Sequence, residues 1–299
     1  MAEAESVAAA PARQREARAL LEAMRPRQWP KNLLVFAGIV FAAEYDEPGK
    51  WAAALATFAA YCAASSAAYV FNDVLDAEED RRHPLKRGRP VARGALAPER
   101  ALAASIVLAL VGVAAMASFG WASLAYVAGF LGLQGGYSLW LKRLVLVDVM
   151  AIAALFVIRA AAGAEAVEVR ISPWLIVCTA LLALFLALAK RRGELVSTAR
   201  NGGGRAVLDG YSFPLVDQLV SIVAACTIVA YSLYTFEARE GSAMMATIPF
   251  VVFGLFRYLM LMHRHDLGEE PENVLLSDVP ILVTIAAWAA TSALILGLG

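Results

Sequence analysis

The sequence predicts an all-α protein of the polytopic membrane class, a bundle of about nine transmembrane helices. Hydrophobic residues make up 60% of the 299 residues, and the mean hydropathy is +0.63. Several apolar runs also reach the ~20 residues that cross a bilayer core. A water-soluble fold could bury one or two such helices, but not nine. The predicted spans are residues 31–45, 51–71, 99–118, 121–140, 147–164, 173–190, 214–236, 243–262 and 279–298.

The distribution of basic residues predicts the orientation of these spans. Lys and Arg concentrate before the first span, after the second span and in the later loops on that same side. The opposite side holds only Lys50, Arg170 and Arg239, and Arg159 falls inside a span. Because cytoplasmic loops carry the excess of Lys and Arg, we expect the N-terminus in the cytoplasm and the C-terminus outside, in the plasma (inner) membrane.

Two regions are predicted along the chain. Residues 1–24 form a cytoplasmic N-terminal tail, and residues 25–299 form the transmembrane domain. Residues 12–25 could form a basic helix that lies on the inner leaflet with Leu20, Leu21 and Met24 on its apolar face. A disordered tail is the alternative before residue 12.

The most informative stretch lies at the end of the second span. Asp73, Asp76 and Asp80 are spaced so that all three lie on one face of a helix. Carboxylates placed in this way repel each other unless a cation lies between them, and hard oxygen ligands suit Mg²⁺, which usually shares its coordination shell with substrate phosphates. The sequence therefore predicts a Mg²⁺ site with the three aspartates as catalytic residues and metal ligands, and with Asn72 as a neutral oxygen ligand.

Basic residues follow this acidic motif at the same membrane surface. They are Arg81, Arg82, Lys86, Arg87, Arg89 and Arg93. An acidic cluster for a metal beside a basic cluster for phosphate indicates a binding site for a diphosphate. The zero net charge does not oppose this prediction, since the charges are segregated by side. The pattern predicts no nucleic-acid partner.

Three further cytoplasmic loops could converge on the same cavity. Their polar residues include Tyr137, Lys142, Arg143, Asp148, Lys190, Arg191, Glu194, His263 and His265. The basic pairs could equally be anchors at the membrane surface, and Asp148 could simply cap a helix. No cysteine or further histidine accompanies His263 and His265, so a solvated loop is expected there rather than a metal pair.

Arg159 lies inside a predicted span, about 16 Å deeper along a helix than Asp148. A charge at that depth is costly and usually faces a polar cavity or a partner. Three arrangements stay open: an ion pair with Glu165, a side chain that reaches toward the membrane surface, and a place on the floor of the cavity.

The acidic motif, read as Asn72-Asp73-x-x-Asp76-x-x-x-Asp80 with Arg89-Pro90-x-x-x-Gly94 after it, resembles the first signature of the UbiA superfamily of intramembrane prenyltransferases. The pattern of nine spans is similar as well. The resemblance implies a UbiA-like helical bundle that holds a Mg²⁺-bound diphosphate at its cytoplasmic mouth. It also implies that a lipid enters from the bilayer.

The chain departs from the superfamily pattern at the second signature. Typical members carry another aspartate-rich motif after the sixth span, where this chain has Lys190-Arg191-Arg192-Gly193-Glu194. Fixed positive charge there favours a donor with an additional phosphate. Together with Met24-Arg25-Pro26-Arg27-Gln28-Trp29-Pro30-Lys31-Asn32, this change resembles the decaprenyl-phosphate phosphoribosyltransferase branch. That branch implies transfer of 5-phosphoribosyl from phosphoribosyl diphosphate (PRPP) to decaprenyl (polyprenyl) phosphate, with release of diphosphate, for arabinan cell-wall precursors.

A donor and an acceptor with several phosphates require basic and polar residues to hold them, and we assign a set of substrate-binding residues on that ground. They are Arg27, Lys31, Asn72, Lys86, Arg89, Tyr137, Lys142, Asp148, Lys190, Arg191 and Glu194. Lys190 and Arg191 are assigned to the ribose 5-phosphate, and Arg27, Lys31 and Lys86 to the lipid phosphate. The acidic members, Asp148 and Glu194, would orient ribose hydroxyls or complete a second metal shell.

Two other functions stay open. A conventional prenyltransferase would move a prenyl group onto an aromatic or quinone-precursor acceptor, but it predicts a second acidic pair that the sequence lacks. A transporter of anionic lipids or phosphates would explain the basic face but not the spacing of the aspartates. The sequence also leaves open whether the chain forms a homo-oligomer.

Overall fold

Helices form all of the regular structure in the residues that the computed structural model describes, which are 12–41, 46–82, 86–170, 172–201, 206–237, 242–264, 274 and 277–298. The α-helices are α1 (Ala12–Ala23), α2 (Ala37–Phe41), α3 (Pro48–Leu75), α4 (Ala77–Arg82), α5 (Pro98–Ala117), α6 (Trp121–Leu139), α7 (Val147–Ala166), α8 (Pro173–Asn201), α9 (Phe213–Glu237), α10 (Ile248–Arg264) and α11 (Val279–Leu298). Short 3₁₀ helices lie at Lys86–Gly88, Leu141–Arg143, Ala206–Gly210 and Ala243–Thr247.

Six helical segments in the described part of the chain are long and apolar enough to cross a membrane. They are α3, α5, α7, α8, α9 and the segment from Ala243 through α10. The fold is therefore the predicted polytopic helical membrane bundle. The structure does not confirm the exact count of nine. The helix α6 is diluted by glycines and Gln134, α11 qualifies only over Val279–Ile295 among the residues whose side chains the structure describes, and the first predicted span is not a long α-helix.

The first predicted span, residues 31–45, instead begins inside a 3₁₀ helix, Pro26–Phe36, which is followed by the short α2. Residues 42–45 lie outside the described residues. Proline has no backbone N–H and clashes with the preceding turn of an α-helix, and this segment contains Pro30 as well as Pro26. A 3₁₀ run of this length is uncommon, and its three-residue period decides which side chains share a face.

Two glycines fix this segment against α7. A Cβ added to Gly163 would lie 1.9 Å from the carbonyl oxygen of Val35, and one added to Gly38 would lie 2.6 Å from the Cα of Ala164. Only glycine allows backbones to approach so closely. Direct packing of backbone on backbone thus fixes the chain from Pro26 to Phe41 against α7.

The N-terminal helix α1 packs on the bundle. Ala19 and Ala23 are buried with Leu96 and Ala101 of the neighbouring region, and Leu20 and Met24 pack against the same cluster. The apolar face that the sequence assigns to the inner leaflet therefore largely contacts protein. Two ion pairs join the polar face of α1 to its neighbours. Glu22 pairs with Arg93, in the loop before α5, at 2.7 Å, and Glu16 pairs with Arg100 of α5.

Candidate active site

A cavity of about 1920 Å³ runs along the interior of the bundle. On α8 its lining extends from Trp174 to Thr198, which is about 36 Å of helix. Its charged lining residues concentrate where α3, α6 and α8 end, and the lining from α9 to α11 consists of apolar, aromatic and hydroxyl side chains. One cavity therefore joins a charged mouth to a mostly apolar interior of membrane-spanning length.

The acidic motif lies at the junction of α3 and α4. The amide of Asp76 donates to the carbonyl of Asn72 at 2.9 Å, and the amide of Asp80 donates to the carbonyl of Asp76 at 2.8 Å. The chain thus continues through the junction at nearly helical pitch. Residues 72, 76 and 80 consequently share one face, and all three line the cavity.

Asp73 lies behind this face. Its side chain is only 1% exposed and forms an ion pair with Arg25, and its Oδ1 is also 3.4 Å from Nη1 of Arg89. The same Nη1 of Arg89 contacts Oδ2 of Asp80 at 2.6 Å. Oδ2 of Asp73 is buried and has no hydrogen-bond partner within the described ranges. Arg25 and Arg89, which both line the cavity, thus connect the buried carboxylate of Asp73 to it.

Asp76 and Asn72 meet a cation from another element. Nζ of Lys142 lies 2.8 Å from Oδ1 of Asp76, and the amide of Asn72 donates to Oδ2 of Asp76 at 3.0 Å. Lys142 belongs to the 3₁₀ turn that follows α6. This turn places Lys142 at the cavity mouth in contact with the acidic motif. The lysine and the aspartates, which the sequence predicted as parts of one site, are therefore neighbours in the structure.

Arg25 was missed by the sequence reasoning, which selected Arg27 two residues later. Apart from Pro30, the residues of this segment that line the cavity are 25, 28, 31, 34 and 37, which is the three-residue period of a 3₁₀ helix. Arg27 falls off this face and is exposed. The backbone of Arg25 is left-handed, at φ 53° and ψ 63°, a conformation that costs about 1–2 kcal/mol for a residue with a Cβ. The two prolines were the signal that could have indicated this period.

Arg191 is the centre of a buried network rather than a lining residue. It is 1% exposed, and its Nε donates to Oδ2 of Asp148 at 2.6 Å. Its terminal nitrogens pair with Glu194 and donate to the hydroxyl of Tyr137 at 3.2 Å. Asp148 is itself fully buried. Neither Arg191 nor Asp148 is part of the cavity lining, whereas Lys190, Glu194 and Tyr137 are.

Tyr211 completes this network from the loop before α9. Its hydroxyl donates to Oδ1 of Asp148 at 2.7 Å and accepts the backbone N–H of Leu146 at 2.8 Å. Burial and the hydrogen bond to Asp148 raise the pKa of Tyr211, so the hydroxyl stays protonated. Leu146 has a positive φ of 67°, which is strained for a branched residue. The tyrosine therefore holds a strained turn at the start of α7.

The predicted substrate-binding residues thus divide into two groups. The cavity lining includes Lys31, Asn72, Asp76, Asp80, Lys86, Arg89, Tyr137, Lys142, Lys190 and Glu194. Arg27, Asp73, Asp148 and Arg191 lie outside it. Of the histidines, His263 lies 3.6 Å from Asp217, away from the cavity lining, and His265 is outside the described residues.

The oxygen donors at the mouth fit a hard divalent cation. Asn72, Asp76 and Asp80 present one amide and two carboxylate groups to the cavity, and such donors suit Mg²⁺, which completes its shell with water and phosphate oxygens. The unpartnered buried Oδ2 of Asp73 lies beside them. Among the described side chains, no group of three His, Cys, Asp or Glu residues forms a ready-made metal cage. A bound phosphate would therefore have to supply part of the coordination.

Arg159 lies deeper in the same cavity and is 3% exposed. Its Nε donates to Oδ1 of Asn32 at 2.8 Å, and its Nη1 donates to the carbonyl of Leu155 at 3.0 Å. The guanidinium also lies 4.6 Å from the ring centre of Phe130. Of the three arrangements left open by the sequence, the structure has the one in which Arg159 lines the cavity, without an ion pair to Glu165 in the described region.

The fold and the sequence define an intramembrane transferase. The UbiA prenyltransferase family matches residues 33–277, and the chain belongs to this family. A structure of a UbiA homologue from Archaeoglobus fulgidus bound to GPP and Mg²⁺ superimposes with a TM-score of 0.71 at 16% identity, covering 93% of this chain and 99% of that one. A UbiA homologue from Aeropyrum pernix K1 gives a TM-score of 0.69 at 15% identity, covering 87% and 97%.

Sequence relatives with higher identity include three proteins that share one name. The chain is 33% identical to the decaprenyl-phosphate phosphoribosyltransferase of Mycolicibacterium smegmatis, over 91% of this chain and 90% of that protein. It is 32% identical to the protein of the same name from Mycobacterium tuberculosis, over 91% and 92%. The Corynebacterium glutamicum protein of that name is 30% identical, over 90% and 84%.

Proposed function

We propose that this protein transfers 5-phosphoribosyl from PRPP to decaprenyl (polyprenyl) phosphate and releases diphosphate, as a step toward arabinan cell-wall precursors. The observation that carries the proposal is the single cavity that combines an Asn72/Asp76/Asp80 face, several basic residues and a long apolar interior. Such a cavity suits one reaction between a highly phosphorylated, water-soluble donor and a lipid acceptor. The names of the relatives in the mycobacteria support the same reaction.

The diphosphate of the donor belongs at the acidic face in this proposal. Asn72, Asp76 and Asp80 would hold Mg²⁺, which neutralises charge on the leaving diphosphate when it is bound. Arg89 pairs with Asp80, Lys142 pairs with Asp76, and Arg25 pairs with the adjacent Asp73. All three cations line the cavity, so their charged groups are within reach of diphosphate oxygens. Asp73 then acts as a positioning residue, because it holds Arg25 and Arg89 on the cavity wall.

The ribose 5-phosphate is assigned to Lys190, the member of the basic pair that lines the cavity. Arg191 cannot reach the cavity from its buried position, and we assign it to support instead. Its guanidinium fixes Glu194 at the lining and holds the hydroxyl of Tyr137. Glu194 and Tyr137 are placed to hydrogen-bond ribose hydroxyls.

The acceptor phosphate supplies the nucleophilic oxygen. The bond between ribose C1 and the diphosphate oxygen breaks while a bond from C1 to the lipid phosphate oxygen forms, and the transition state resembles an oxocarbenium ion, as in other glycosyl transfers. The nucleophile is already an anion, so the residues need not remove a proton. Their contribution is to position both substrates and to stabilise charge. Lys31 and Lys86 line the mouth and are assigned to the lipid phosphate.

We further propose that the mouth faces the cytoplasm of the plasma membrane, where PRPP is present. The concentration of basic residues beside the acidic motif supports this orientation. Residues 1–24 would then form a cytoplasmic tail whose helix α1 packs on the catalytic domain of residues 25–299.

A transfer assay with the purified protein tests the proposal. PRPP labelled in its ribose carbons is incubated with Mg²⁺ and decaprenyl phosphate, and the expected result is label in the organic phase. Matched reactions with labelled geranylgeranyl diphosphate and an aromatic acceptor test conventional prenyl transfer. Label from the prenyl donor alone would replace the proposed function with prenyl transfer.

A further inference from the structure

Arg159 is a buried cation whose partners are neutral. The amide oxygen of Asn32 and the carbonyl of Leu155 accept its hydrogen bonds, and the rings of Phe130 and Phe156 lie 4.6 and 5.2 Å from its guanidinium carbon. No carboxylate contacts it in the described part of the chain. Its second terminal nitrogen, Nη2, donates no hydrogen bond to a described residue, and Arg159 lines the cavity.

The surroundings of Arg159 hold its guanidinium in place without cancelling its charge. The acceptor Asn32 is itself buried and is fixed by Ser65, which donates to its Oδ1 at 3.2 Å, and by Cys62, whose sulfur accepts from its Nδ2 at 3.3 Å. A positive charge at membrane depth is costly unless a partner compensates it. The missing compensation indicates that an anion supplied by a ligand is the natural partner of this guanidinium.

The depth of Arg159 selects the type of anion. Arg159 and Ser65 both hydrogen-bond to Oδ1 of Asn32, so Arg159 lies at about the same membrane depth as Ser65. Ser65 is about 10 Å from Asn72 along α3. That separation leaves room for one ribose ring between a diphosphate at Asn72 and a phosphate at Arg159. Beyond Arg159 the lining continues through Leu175, Ile285 and Trp288, which suits a hydrocarbon chain.

We propose that Arg159 binds the phosphate of the lipid acceptor and thereby selects an anionic acceptor over a neutral one. This inference rests on the proposed function, and it places the direct contact to the lipid phosphate at Arg159, deeper than Lys31 and Lys86 at the mouth. The lipid phosphate would reach the guanidinium with its chain in the apolar part of the cavity, and its free oxygen would face ribose C1. The 5-phosphate of the donor is already assigned to Lys190 at the mouth, so it does not have to reach the depth of Arg159.

Two substitutions test Arg159 in different ways. Arg159→Gln removes the charge, and Asn32→Asp leaves the guanidinium in place but gives it a carboxylate partner of nearly unchanged shape. Both variants should raise the apparent KM for decaprenyl phosphate about 10- to 100-fold, as expected for one charge-assisted phosphate contact. The KM for PRPP should change by less than about threefold. Arg257→Gln is the matched control, since Arg257 pairs with Asp278 outside the cavity lining.

A binding measurement separates this inference from the proposed reaction. Farnesyl phosphate should raise the thermal unfolding midpoint of the wild-type protein more than farnesol does, without any donor present. Asn32→Asp should abolish that difference while the variant stays folded, so a misfolded Arg159→Gln does not leave the inference untested. A larger effect on PRPP than on the lipid, or an unchanged preference for farnesyl phosphate in Asn32→Asp, would overturn the role of Arg159. Failure of the wild-type protein to transfer ribose would instead overturn the proposed function.

Discussion

Lys190 and Arg191 are neighbours on α8, but their surroundings predict different consequences when each is replaced by glutamine. Lys190 is partly exposed and lines the cavity, so its replacement removes a charge that can contact the donor. Arg191 is buried against Asp148 and Glu194, so its replacement removes the cation that pairs with the buried carboxylate of Asp148.

The two magnitudes follow from these positions. Loss of one charge-assisted contact at Lys190 should raise the apparent KM for PRPP about 10- to 100-fold, with a change in stability below about 0.5 kcal/mol. Breaking a buried ion pair by removing one partner costs about 3–5 kcal/mol. For a chain of this size that loss lowers the unfolding midpoint by on the order of 10 °C. The main effect of Arg191→Gln should therefore be a lower unfolding midpoint.

The assay combines thermal unfolding in one detergent with initial rates at varied PRPP and varied decaprenyl phosphate. Lys190→Arg is the control, because it keeps the charge at the lining. A second control, Asp148→Asn in the Arg191→Gln background, should recover part of the lost stability, since it neutralises the buried carboxylate that has lost its cation. If Arg191→Gln unfolds like the wild type and raises the KM for PRPP as Lys190→Gln does, then Arg191 contacts the donor and the division of roles is wrong.

Three further predictions concern the metal, the packing and the orientation. Asp76→Asn should abolish transfer in a folded protein, and EDTA should stop the wild-type reaction until Mg²⁺ is restored; full activity in EDTA would contradict a metal at the mouth. Gly163→Val should displace the Pro26–Phe36 segment, because even a Cβ would lie 1.9 Å from the Val35 carbonyl oxygen, and a large fall in the unfolding midpoint and in activity checks this. In a background without native cysteines, a cysteine at position 203 should label only from the cytoplasm and one at position 241 only from outside; both positions lie outside the described residues, and labelling from the same side would refute the orientation.

The spans could be predicted from sequence because apolar length is a local property. Each apolar run from residues 51–71 onward corresponds to a helix in the structure. The run at 31–45 failed because hydropathy does not register the effect of Pro26 and Pro30 on the backbone. These prolines produce a 3₁₀ segment, and its period brings Arg25 rather than Arg27 to the cavity.

The chemical character of the site could also be predicted, but not which of two adjacent residues faces the cavity. Asp73 and Asn72, like Arg191 and Lys190, are adjacent on a helix and therefore point about 100° apart. Only tertiary contacts decide which member of each pair turns inward. The partners that bury Asp73 and Arg191, namely Arg25 and Asp148, come from distant parts of the chain.

The fate of each phosphate of the donor tests the central claim most directly. PRPP carrying radioactive phosphorus at either the 5-phosphate or the β-phosphate is given to the purified protein with Mg²⁺ and decaprenyl phosphate. Because the proposed reaction breaks the bond between C1 and diphosphate, the 5-phosphate label should enter the organic phase and the β-phosphate label should stay in water as diphosphate. Appearance of the β-phosphate label in the lipid, or of neither label, would contradict phosphoribosyl transfer.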